Sequence, residues 1–253
     1  MLLNEKVCLI TGGASGIGEV AARRFAAEGA IVAVVDIDDE GGRRVADAIM
    51  AEGGRACAVR ADVSSEAEVA RAVEEILQTY GKIDVLLNNA ATILPKPLEE
   101  VSEEEWTRVI AINLKSVYLT IKHTIPALRR SKGNIVNMAS LNGLVGQKQN
   151  AVYASAKGAV IAMTKSLALD YAPDGVRVNC LCPAGVMTPL LEQWRLRQPD
   201  PDATTRLLND MHPLGRPATS EEIADAALFL ASDSARFITG VALPVDGGAS
   251  LGY

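Results

Sequence analysis

Aromatic and metal-binding side chains are scarce in this chain. Of its 253 residues, 4% are aromatic, two are histidines and four are cysteines. So few rings argue against a groove that stacks nucleic-acid bases. The cysteines lie in apolar, strand-like segments and include no CxxC pair, so we predict no disulfide and no metal site and expect them to pack in the core. They are Cys8, Cys57, Cys180 and Cys182, of which the last two should share one face of a strand.

Positive charge and long apolar runs are also lacking. Lys and Arg total 25 against 31 Asp and Glu, and the resulting net charge of -6 is a poor match for nucleic acid or an anionic membrane. No apolar run approaches the roughly 18–20 residues of a membrane span. Strand-like sequence begins near Val7, which leaves no room for a signal peptide. We expect a cytoplasmic protein that binds neither nucleic acid nor membrane.

Short apolar runs alternate with longer helical segments along the chain. Apolar runs without polar alternation are typical of strands buried on both faces of a parallel sheet. The alternation predicts an α/β fold: a single doubly wound, Rossmann-like domain over residues 1–253 with a seven-stranded parallel sheet. The runs are Val7–Ile10, Ile31–Val35, Ala56–Val59, Ile83–Leu87, Asn134–Met138, Val176–Leu181 and Val241–Val245. Capping-box pairs open three helices: Ser65 with Glu68, Ser102 with Glu105, and Thr219 with Glu222.

Segment 188–217 interrupts this pattern with five prolines. Between the prolines it has helical pieces around Leu190–Arg197 and Ala203–Met211. The segment falls between the penultimate strand and the next helix, so it should hang over the carboxyl edge of the sheet, where ligands bind in such folds. We predict a short helical substrate lid.

A glycine-rich turn, Thr11–Gly18, directly follows the first predicted strand and directly precedes a helix. Glycine permits positive φ and lets a pyrophosphate approach the backbone, while the helix N-terminus offers free N–H groups. A literal G-x-G-x-x-A pattern also begins at Gly16, but that register starts too far into the helix. We therefore predict a pyrophosphate site at Gly12, Gly16 and Gly18.

Asp36 ends the second predicted strand. A carboxylate there can accept hydrogen bonds from both adenosine ribose hydroxyls, and it would repel a 2′-phosphate. Neither Ser15 nor Ile37 is a Lys or Arg that could bind that phosphate. The pattern favours NAD over NADP; the alternative is a surface turn, since Asp38 and Asp39 follow closely.

Tyr153 and Lys157 are four residues apart, so on a helix they share one face. A phenol is a poor base at neutral pH, and a nearby ammonium should lower its pKa. Such a pair can take a proton from an alcohol as hydride leaves. Ser140, which follows a predicted strand, could donate a hydrogen bond to the substrate oxygen. A lone YxxxK pattern more often means an exposed helix surface.

Taken together, these motifs resemble the short-chain dehydrogenase/reductase family over essentially the whole chain. The resemblance implies that Tyr153 is the catalytic acid/base, that Lys157 holds the nicotinamide ribose, that Ser140 positions the substrate oxygen and that Asn113 supports a water-mediated proton relay. It also implies a homotetramer, with helices pairing around Glu103–Arg130 and Tyr153–Tyr171 and with C-terminal contacts that could include Tyr253. The implied cofactor contacts are Gly12, Ser15, Gly16, Ile17, Gly18, Asp36, Ile37, Asp62, Val63, Asn88, Ala90, Tyr153, Lys157, Pro183, Val186 and Thr188. The further matching motifs are Asn89, Asn179, Ile238–Gly240 and Asp246–Gly248.

Two positions depart from the family pattern, because Ala91 and Ala184 stand where glycine is usual. Alanine resists positive φ. Either the backbone does not need that conformation there, or the nicotinamide pocket is reshaped.

The substrate is least constrained. The stretch Leu141–Ala159 resembles the branch of the family that contains L-fucose dehydrogenase and a 17β-hydroxysteroid dehydrogenase. Amide side chains between Ser140 and Tyr153 would suit a polyol or sugar, although a solvated loop explains them equally well. In the lid, Trp194 could pack on a substrate face or in the core, and His212 could touch substrate. The candidate substrate residues are Asn142, Gln147, Gln149 and Trp194, with Asn150 beside them.

We expect NAD-linked oxidation of a secondary alcohol. Two alternatives stay open: a hydroxysteroid or 3-oxoacyl-type carbonyl reductase, for which NADP would serve, and a non-catalytic NAD-binding scaffold. Asp36 opposes NADP. The set of Asn113, Ser140, Tyr153 and Lys157 opposes a scaffold, because a pure binder has no need of all four.

Overall fold

The computed structural model describes residues 1–251, except for the side chain of Leu190. The expected intersubunit contact of Tyr253 therefore lies outside the described residues. The strands are β1 (Val7–Thr11), β2 (Ile31–Asp36), β3 (Arg55–Arg60), β4 (Val85–Asn88), β5 (Asn134–Met138), β6 (Arg177–Pro183), β7 (Val186–Met187), β8 (Ala218–Thr219) and β9 (Ala242–Val245). The helices are α1 (Gly16–Ala27), α2 (Asp39–Ala51), α3 (Glu66–Tyr80), α4 (Glu103–Ile110), α5 (Ser116–Ser131), α6 (Ala151–Tyr171), α7 (Pro189–Leu196), α8 (Pro201–Asp210) and α9 (Ser220–Ala231).

The main sheet has seven strands in the order β3-β2-β1-β4-β5-β6-β9, and every pairing is parallel. The predicted α/β class and strand number are thereby confirmed. The order reverses between β1 and β4, which opens a crevice at their carboxyl ends. A second, two-stranded sheet pairs β7 with β8 and was not predicted, because two-residue strands leave no pattern in the sequence.

Helices cover both faces of the sheet. On one face, alternate residues of the strands pack with apolar side chains of α1, α2 and α9, such as Phe25, Ile49 and Leu228. On the other face, the strands pack with α3, α5 and α6, and both Cys180 and Cys182 lie in this cluster as predicted. The strands therefore expose polar groups only toward their ends.

Capping decides where several helices begin. Two predicted capping boxes are present, Ser102 with Glu105 and Thr219 with Glu222. The third prediction was half right: Ser65 accepts from the Glu68 amide, but the Glu68 carboxylate accepts the Asp62 N–H instead of closing the box. The Glu68 carboxylate binds the Asp62 amide and not the Ser65 amide because Asp62 lies in the turn that connects β3 to α3.

A chain of buried polar side chains runs from α5, across the neighbouring strands β4 and β5, to α6. Thr120 donates to Asn88 at 2.6 Å, Asn88 donates to Asn137 at 2.9 Å, and Asn137 donates to Thr164 at 2.9 Å. All four residues are at most 4% exposed. The partners satisfy each other where water cannot reach, so β4 and β5 are held in one register.

Within residues 1–251, no helix combines the length and apolar character that crossing a bilayer requires.

We expect Asn137→Leu to lower the free energy of unfolding by about 2–4 kcal/mol, because it leaves the Asn88 amide and the Thr164 hydroxyl buried without partners. Chemical denaturation would measure this. The control is Gln78→Leu, an amide on the exposed face of α3, for which we expect a change within about 0.5 kcal/mol. Equal effects of the two substitutions would contradict the prediction.

Candidate active site

The glycine-rich turn after β1 forms a tight cradle. Gly12 has φ +65°, and a Cβ on Gly18 would lie 2.0 Å from the Gly12 oxygen, so no larger residue fits at Gly18. Ser15 makes no side-chain capping bond at the start of α1. The first N–H groups of α1 are thus not capped by that hydroxyl, and the helix N-terminus suits an anionic phosphate.

Asn89 holds this turn from the neighbouring strand end. Its side-chain amide donates to the oxygens of Thr11 and Gly12 at 3.1 and 3.0 Å. The Thr11 hydroxyl in turn accepts the amides of Asn89 and Ala90. From the sequence, Asn89 is predicted only as part of a motif, without a contact. Its position directly after a buried strand at the sheet edge was the available signal.

The Asp36 carboxylate lies at the end of β2, next to the turn. Its two oxygens accept the N–H groups of Ala14 and Asp38, each at 3.0 Å. Sequence reasoning missed Arg44, which donates to the Ala14 oxygen at 2.8 Å and is bound through both guanidinium NH₂ groups to Glu19. A carboxylate and a neutralised guanidinium therefore border the same turn residue.

Two predicted cofactor contacts line one open groove, which we call the adenine groove because the family resemblance implies that Asp62 and Val63 contact the adenine. Ile37 and Asp62 face it from the strand ends, with Thr107, Arg108 and Ile112 opposite. Asp62 is oriented by accepting both the amide and the hydroxyl of Ser64, and Val63 is buried beside it. The residues opposite were not predicted, because the turn from α4 into α5 left no motif.

Ser140, Tyr153 and Lys157 are brought together where β5 ends. The Ser140 hydroxyl lies close enough to the Tyr153 phenol to lower its pKa, and it accepts the Asn142 amide at 3.1 Å. Lys157 is 2% exposed; its Nζ donates to the Met138 oxygen at 2.7 Å and lies 5.6 Å from the centroid of the Tyr153 ring. The three groups therefore face one point in the cleft.

Burial dominates the protonation of this pair. Burial lowers the pKa of Lys157 to about 8, and it raises the pKa of Tyr153 above its ordinary value, with the Ser140 hydroxyl acting the other way. Our expectation that Lys157 lowers the pKa of the tyrosine is corrected here. An ammonium that itself loses its charge easily, 5.6 Å from the ring centroid, does not outweigh desolvation of the phenol.

Asn113 lies in a π-helical turn, Ala111–Lys115, between α4 and α5. It is fully buried, and its amide donates to the oxygens of Thr92 and Val109 at 2.9 Å while it accepts the Thr92 N–H at 3.3 Å. Every side-chain polar group is thus engaged. The water-mediated proton relay implied for Asn113 stays a prediction.

The segment Pro183–Thr188 closes the cleft on the side of β6. Val186 is buried in β7, and Thr188 caps α7 by accepting the Leu191 amide. The methyl carbon of Thr188 would lie 3.6 Å from a Cβ on Gly16, so the lid begins against the glycine turn. Neither Ala91 nor Ala184 has a positive φ, so the backbone accepts alanine at both positions without strain.

The candidate substrate residues lie on a loop that is tied to itself. Gln147 Oε1 accepts from Asn142 Nδ2 at 2.5 Å and from Asn150 Nδ2 at 2.9 Å. Gln149 has φ +58°, and its carbonyl accepts the Lys96 amide at 2.7 Å, which joins this loop to the one after β4. Three of the four amide side chains of this loop, those of Asn142, Gln147 and Asn150, are therefore held by hydrogen bonds to each other. Trp194 is 37% exposed on α7.

His212 is not placed to touch substrate. It is 2% exposed, with Nδ1 2.7 Å from the Leu208 oxygen and Nε2 3.2 Å from the Gly185 nitrogen. The idea that it reaches substrate through the lid is therefore wrong. His123, the other histidine, lies on α5 beside Glu66. Among residues 1–251, no three His, Cys, Asp or Glu side chains lie close enough to hold a metal ion.

A family model described as "Enoyl-(Acyl carrier protein) reductase" matches residues 12–250. The chain belongs to the short-chain dehydrogenase/reductase family. Members of this family are oxidoreductases that act on CH–OH groups with a nicotinamide cofactor, and this protein is one of them. The glycine cradle, the open start of α1 and Asp36 fit such a dinucleotide.

Three proteins similar to this short-chain dehydrogenase are informative. It is 42% identical to meso-2,3-butanediol dehydrogenase of Serratia marcescens over 250 residues, which cover 99% of this chain and 96% of that protein. It is 43% identical to L-fucose dehydrogenase of Oryctolagus cuniculus over 248 residues, 98% of this chain and 86% of that protein. The solved structure of 3-ketoacyl-(acyl-carrier-protein) reductase from Brucella melitensis, complexed with NADH, superposes with a TM-score of 0.88 at 40% identity and covers 98% of this chain and 99% of that one.

We expect Lys157→Met to stabilise the protein by about 1–2 kcal/mol near pH 7 while removing activity. A lysine whose pKa falls from 10.5 to about 8 on folding opposes folding while it is charged. The gain should be full below about pH 8 and should vanish as the pH rises to about 10.5, where the unfolded lysine is also neutral.

Urea denaturation from pH 6.5 to 10 would measure the difference. Lys165→Met, an exposed position on the same helix, is the control, and its effect should not vary with pH over this range. A Lys157→Met protein that is less stable at pH 7 would contradict the prediction.

Proposed function

We propose that this protein oxidises a secondary alcohol of a small polyol or sugar, with NAD as the hydride acceptor, at the carboxyl edge of the sheet. The observation that carries the proposal is that Ser140, the Tyr153 phenol and the buried Lys157 lie together where β5 ends. These groups are a proton acceptor, its orienting donor and a cation that is ready to lose its charge.

Oxidation removes a hydride from the alcohol carbon and a proton from its hydroxyl. Bound NAD would supply the hydride acceptor. Tyr153 takes the hydroxyl proton in its deprotonated form, which burial opposes by raising the pKa of the phenol and which Ser140 favours by lowering that pKa. The new carbonyl oxygen stays hydrogen-bonded to Ser140. The Asn142 amide donates to the Ser140 oxygen, so this contact does not use the Ser140 proton, which can point toward the substrate oxygen. In the reverse direction Tyr153 returns the proton to the carbonyl.

Lys157 supports this chemistry in two ways. Its ammonium uses one N–H for the Met138 oxygen, which leaves two for the ribose hydroxyls of the cofactor. Its position against the Tyr153 ring provides a second site for the proton that oxidation releases. The remaining cofactor contacts would be the glycine cradle, Asp36 and the adenine groove, with Asn88, Ala90, Pro183, Val186 and Thr188 along the cleft.

The preference for NAD rests on charge. Asp36 would accept hydrogen bonds from a ribose and repel a 2′-phosphate. Arg44, the cation nearest the same turn residue, is neutralised by Glu19 at 2.8 and 2.9 Å and is therefore poorly placed to attract that phosphate.

The polar loop supports a substrate with several hydroxyls. Gln147 accepts from both neighbouring amides, so its own NH₂ and the oxygens of Asn142 and Asn150 are left to bind other groups. Alternating donors and acceptors match a vicinal diol. The named substrates of two similar proteins, butanediol and fucose, are of this kind. Trp194 would close one side of the site from the lid, segment 188–217.

One alternative keeps independent support. A 3-ketoacyl reductase is 40% identical to this chain. Met187 at the end of β7, and Trp194 and Met211 of the lid, are exposed apolar side chains that would suit an acyl or steroid substrate. The scaffold alternative has no comparable observation, because a binder has no need of Ser140, Tyr153 and Lys157 together. A single domain and a homotetramer stay predictions, which light scattering and limited proteolysis would test.

We expect Tyr153→Phe to lower kcat at least about 1,000-fold and to change the Kd for NADH less than about threefold, because the ring remains and only the proton acceptor is lost. Steady-state kinetics and calorimetry would measure the two quantities. Tyr118→Phe on α5, an exposed phenol, is the control. Ordinary turnover in Tyr153→Phe would overturn the mechanism.

The substrate is tested with a panel of sugars, acyclic polyols, hydroxysteroids and 3-hydroxyacyl thioesters, following NADH absorbance. We expect the highest kcat/KM among vicinal diols, and Gln147→Leu should raise KM for them about five- to tenfold by removing polar contacts. A better steroid or acyl substrate, with no effect of Gln147→Leu, would favour the alternative.

We expect the wild-type protein to bind NADH at least about 100-fold more tightly than NADPH, and Asp36→Asn to reduce this ratio about tenfold by removing one charge. Adding Glu19→Gln should reduce it further by releasing Arg44, and Arg44→Ala should cancel that second gain. Asp47→Asn, exposed on α2, controls for net charge. Tighter NADPH binding by the wild type would contradict the NAD assignment.

A further inference from the structure

His212 lies where three segments of the chain meet. Its ring covers the bend at Gly185, since a Cβ there would lie 3.0 Å from His212 Cε1. A Cβ on Gly247, in the terminal turn, would lie 3.6 Å from His212 Cδ2. The third segment is the end of α8, where the His212 amide donates to the Asn209 oxygen at 3.0 Å.

The two hydrogen bonds of the ring fix its chemical form. The Leu208 oxygen, 2.7 Å from Nδ1, can only accept, so Nδ1 carries the proton. Nε2 of the neutral ring is then an acceptor, and it receives the Gly185 N–H at 3.2 Å. The hydrogen bond to the Leu208 carbonyl thus selects the tautomer in which Nε2 accepts the Gly185 N–H.

Gly185 is held on both sides of its backbone by the chain that returns from the lid. Its N–H binds His212, and its oxygen accepts the Ala218 amide at 2.9 Å. Gly185 lies between Pro183, the end of β6, and Val186, the start of β7. An ordinary glycine at a bend is conformationally permissive, and these two bonds restrict this one to a single orientation.

We propose that His212 is a positioning residue for the cofactor: through its hydrogen bond to Gly185 it fixes the backbone of Gly185–Thr188, the segment that contains the predicted cofactor contacts Val186 and Thr188. This inference rests on the proposed cofactor site. It does not require His212 to contact cofactor or substrate. The ring instead joins the end of α8, through Leu208, to Gly185 between β6 and β7.

Two substitutions separate the ring's hydrogen bonds. A glutamine places its amide oxygen near the Nε2 position, so His212→Gln keeps an acceptor for Gly185. An asparagine is one methylene shorter and reaches only the Nδ1 position, so His212→Asn keeps the bond to Leu208 and loses the bond to Gly185. His212→Leu removes both. His123→Asn, a histidine on α5, is the matched control.

The first measurement needs no cofactor. Hydrogen exchange of a peptide spanning 183–188 should be at least about fivefold faster in His212→Asn and His212→Leu than in the wild type, and close to wild type in His212→Gln and His123→Asn. Imidazole ¹⁵N shifts of the wild-type protein should show the proton on Nδ1. A proton on Nε2 would overturn the proposal without any variant.

The second measurement is the Kd for NADH by calorimetry. We expect it to rise about five- to tenfold in His212→Asn and His212→Leu, with rescue in His212→Gln, because one hydrogen bond is lost. Wild-type exchange and affinity in His212→Asn would show that the bond to Gly185 is dispensable. Equal losses in all three His212 variants would show that packing of the ring matters, and both results overturn the proposal.

The outcomes also separate this inference from the proposed function. If the wild-type protein binds no NADH, the cofactor assignment fails, whereas the exchange pattern still tests the bond to Gly185. If NADH binds equally well to the wild type and every His212 variant, the cofactor assignment stands and the positioning role fails.

Discussion

The buried hydrogen-bond chain Thr120–Asn88–Asn137–Thr164 is the constraint on which the site depends. It joins β4 to β5 one residue before each strand delivers a functional group: Asn89, which holds the glycine turn, and Met138, whose oxygen binds Lys157. Apolar side chains at the two asparagines would allow the strands to slide against each other. Fully satisfied amides allow one register only. The buried hydrogen bonds within the sheet therefore fix where Asn89 and Met138 lie in the cleft, and the loops that follow them begin from these fixed points.

Desolvation then determines what the site can do. Lys157 is fully enclosed and bound to one carbonyl, so its charge is poorly stabilised; Tyr153 stands in the same dry surroundings, so its phenolate is too. Neither group has the protonation behaviour of a surface residue. Burial lowers the pKa of Lys157 and raises the pKa of Tyr153, so each group favours its neutral form more than it would in water. The fold supplies this environment by placing α6 across the end of β5, which is the same packing that buries the core.

The α/β class, the seven parallel strands and the starts of α3, α4 and α9 could be predicted because they depend on periodicity and on capping pairs a few residues apart. Asp36, Ser140, Tyr153 and Lys157 were predictable because each follows a strand end or shares a helix face. The pairing of Glu19 with Arg44, 25 residues apart, and the contact of His212 with Gly185, 27 residues apart, left no local pattern. The direction of the Tyr153 pKa shift was mistaken for a related reason: desolvation is a sum over the whole surroundings, and a sequence displays only the neighbouring charge.

Thr188 caps the first helix of the lid and lies against Gly16 of the phosphate cradle. Thr188 thus belongs to the start of the lid and also borders the glycine-rich turn. In the proposed complex, order in α7 and binding of the dinucleotide are then reciprocal: whatever free energy the bound dinucleotide adds to the helix, the folded helix returns to the dinucleotide. Sequence changes far out on α7 would accordingly register as changes in cofactor affinity, although no atom of theirs comes near it.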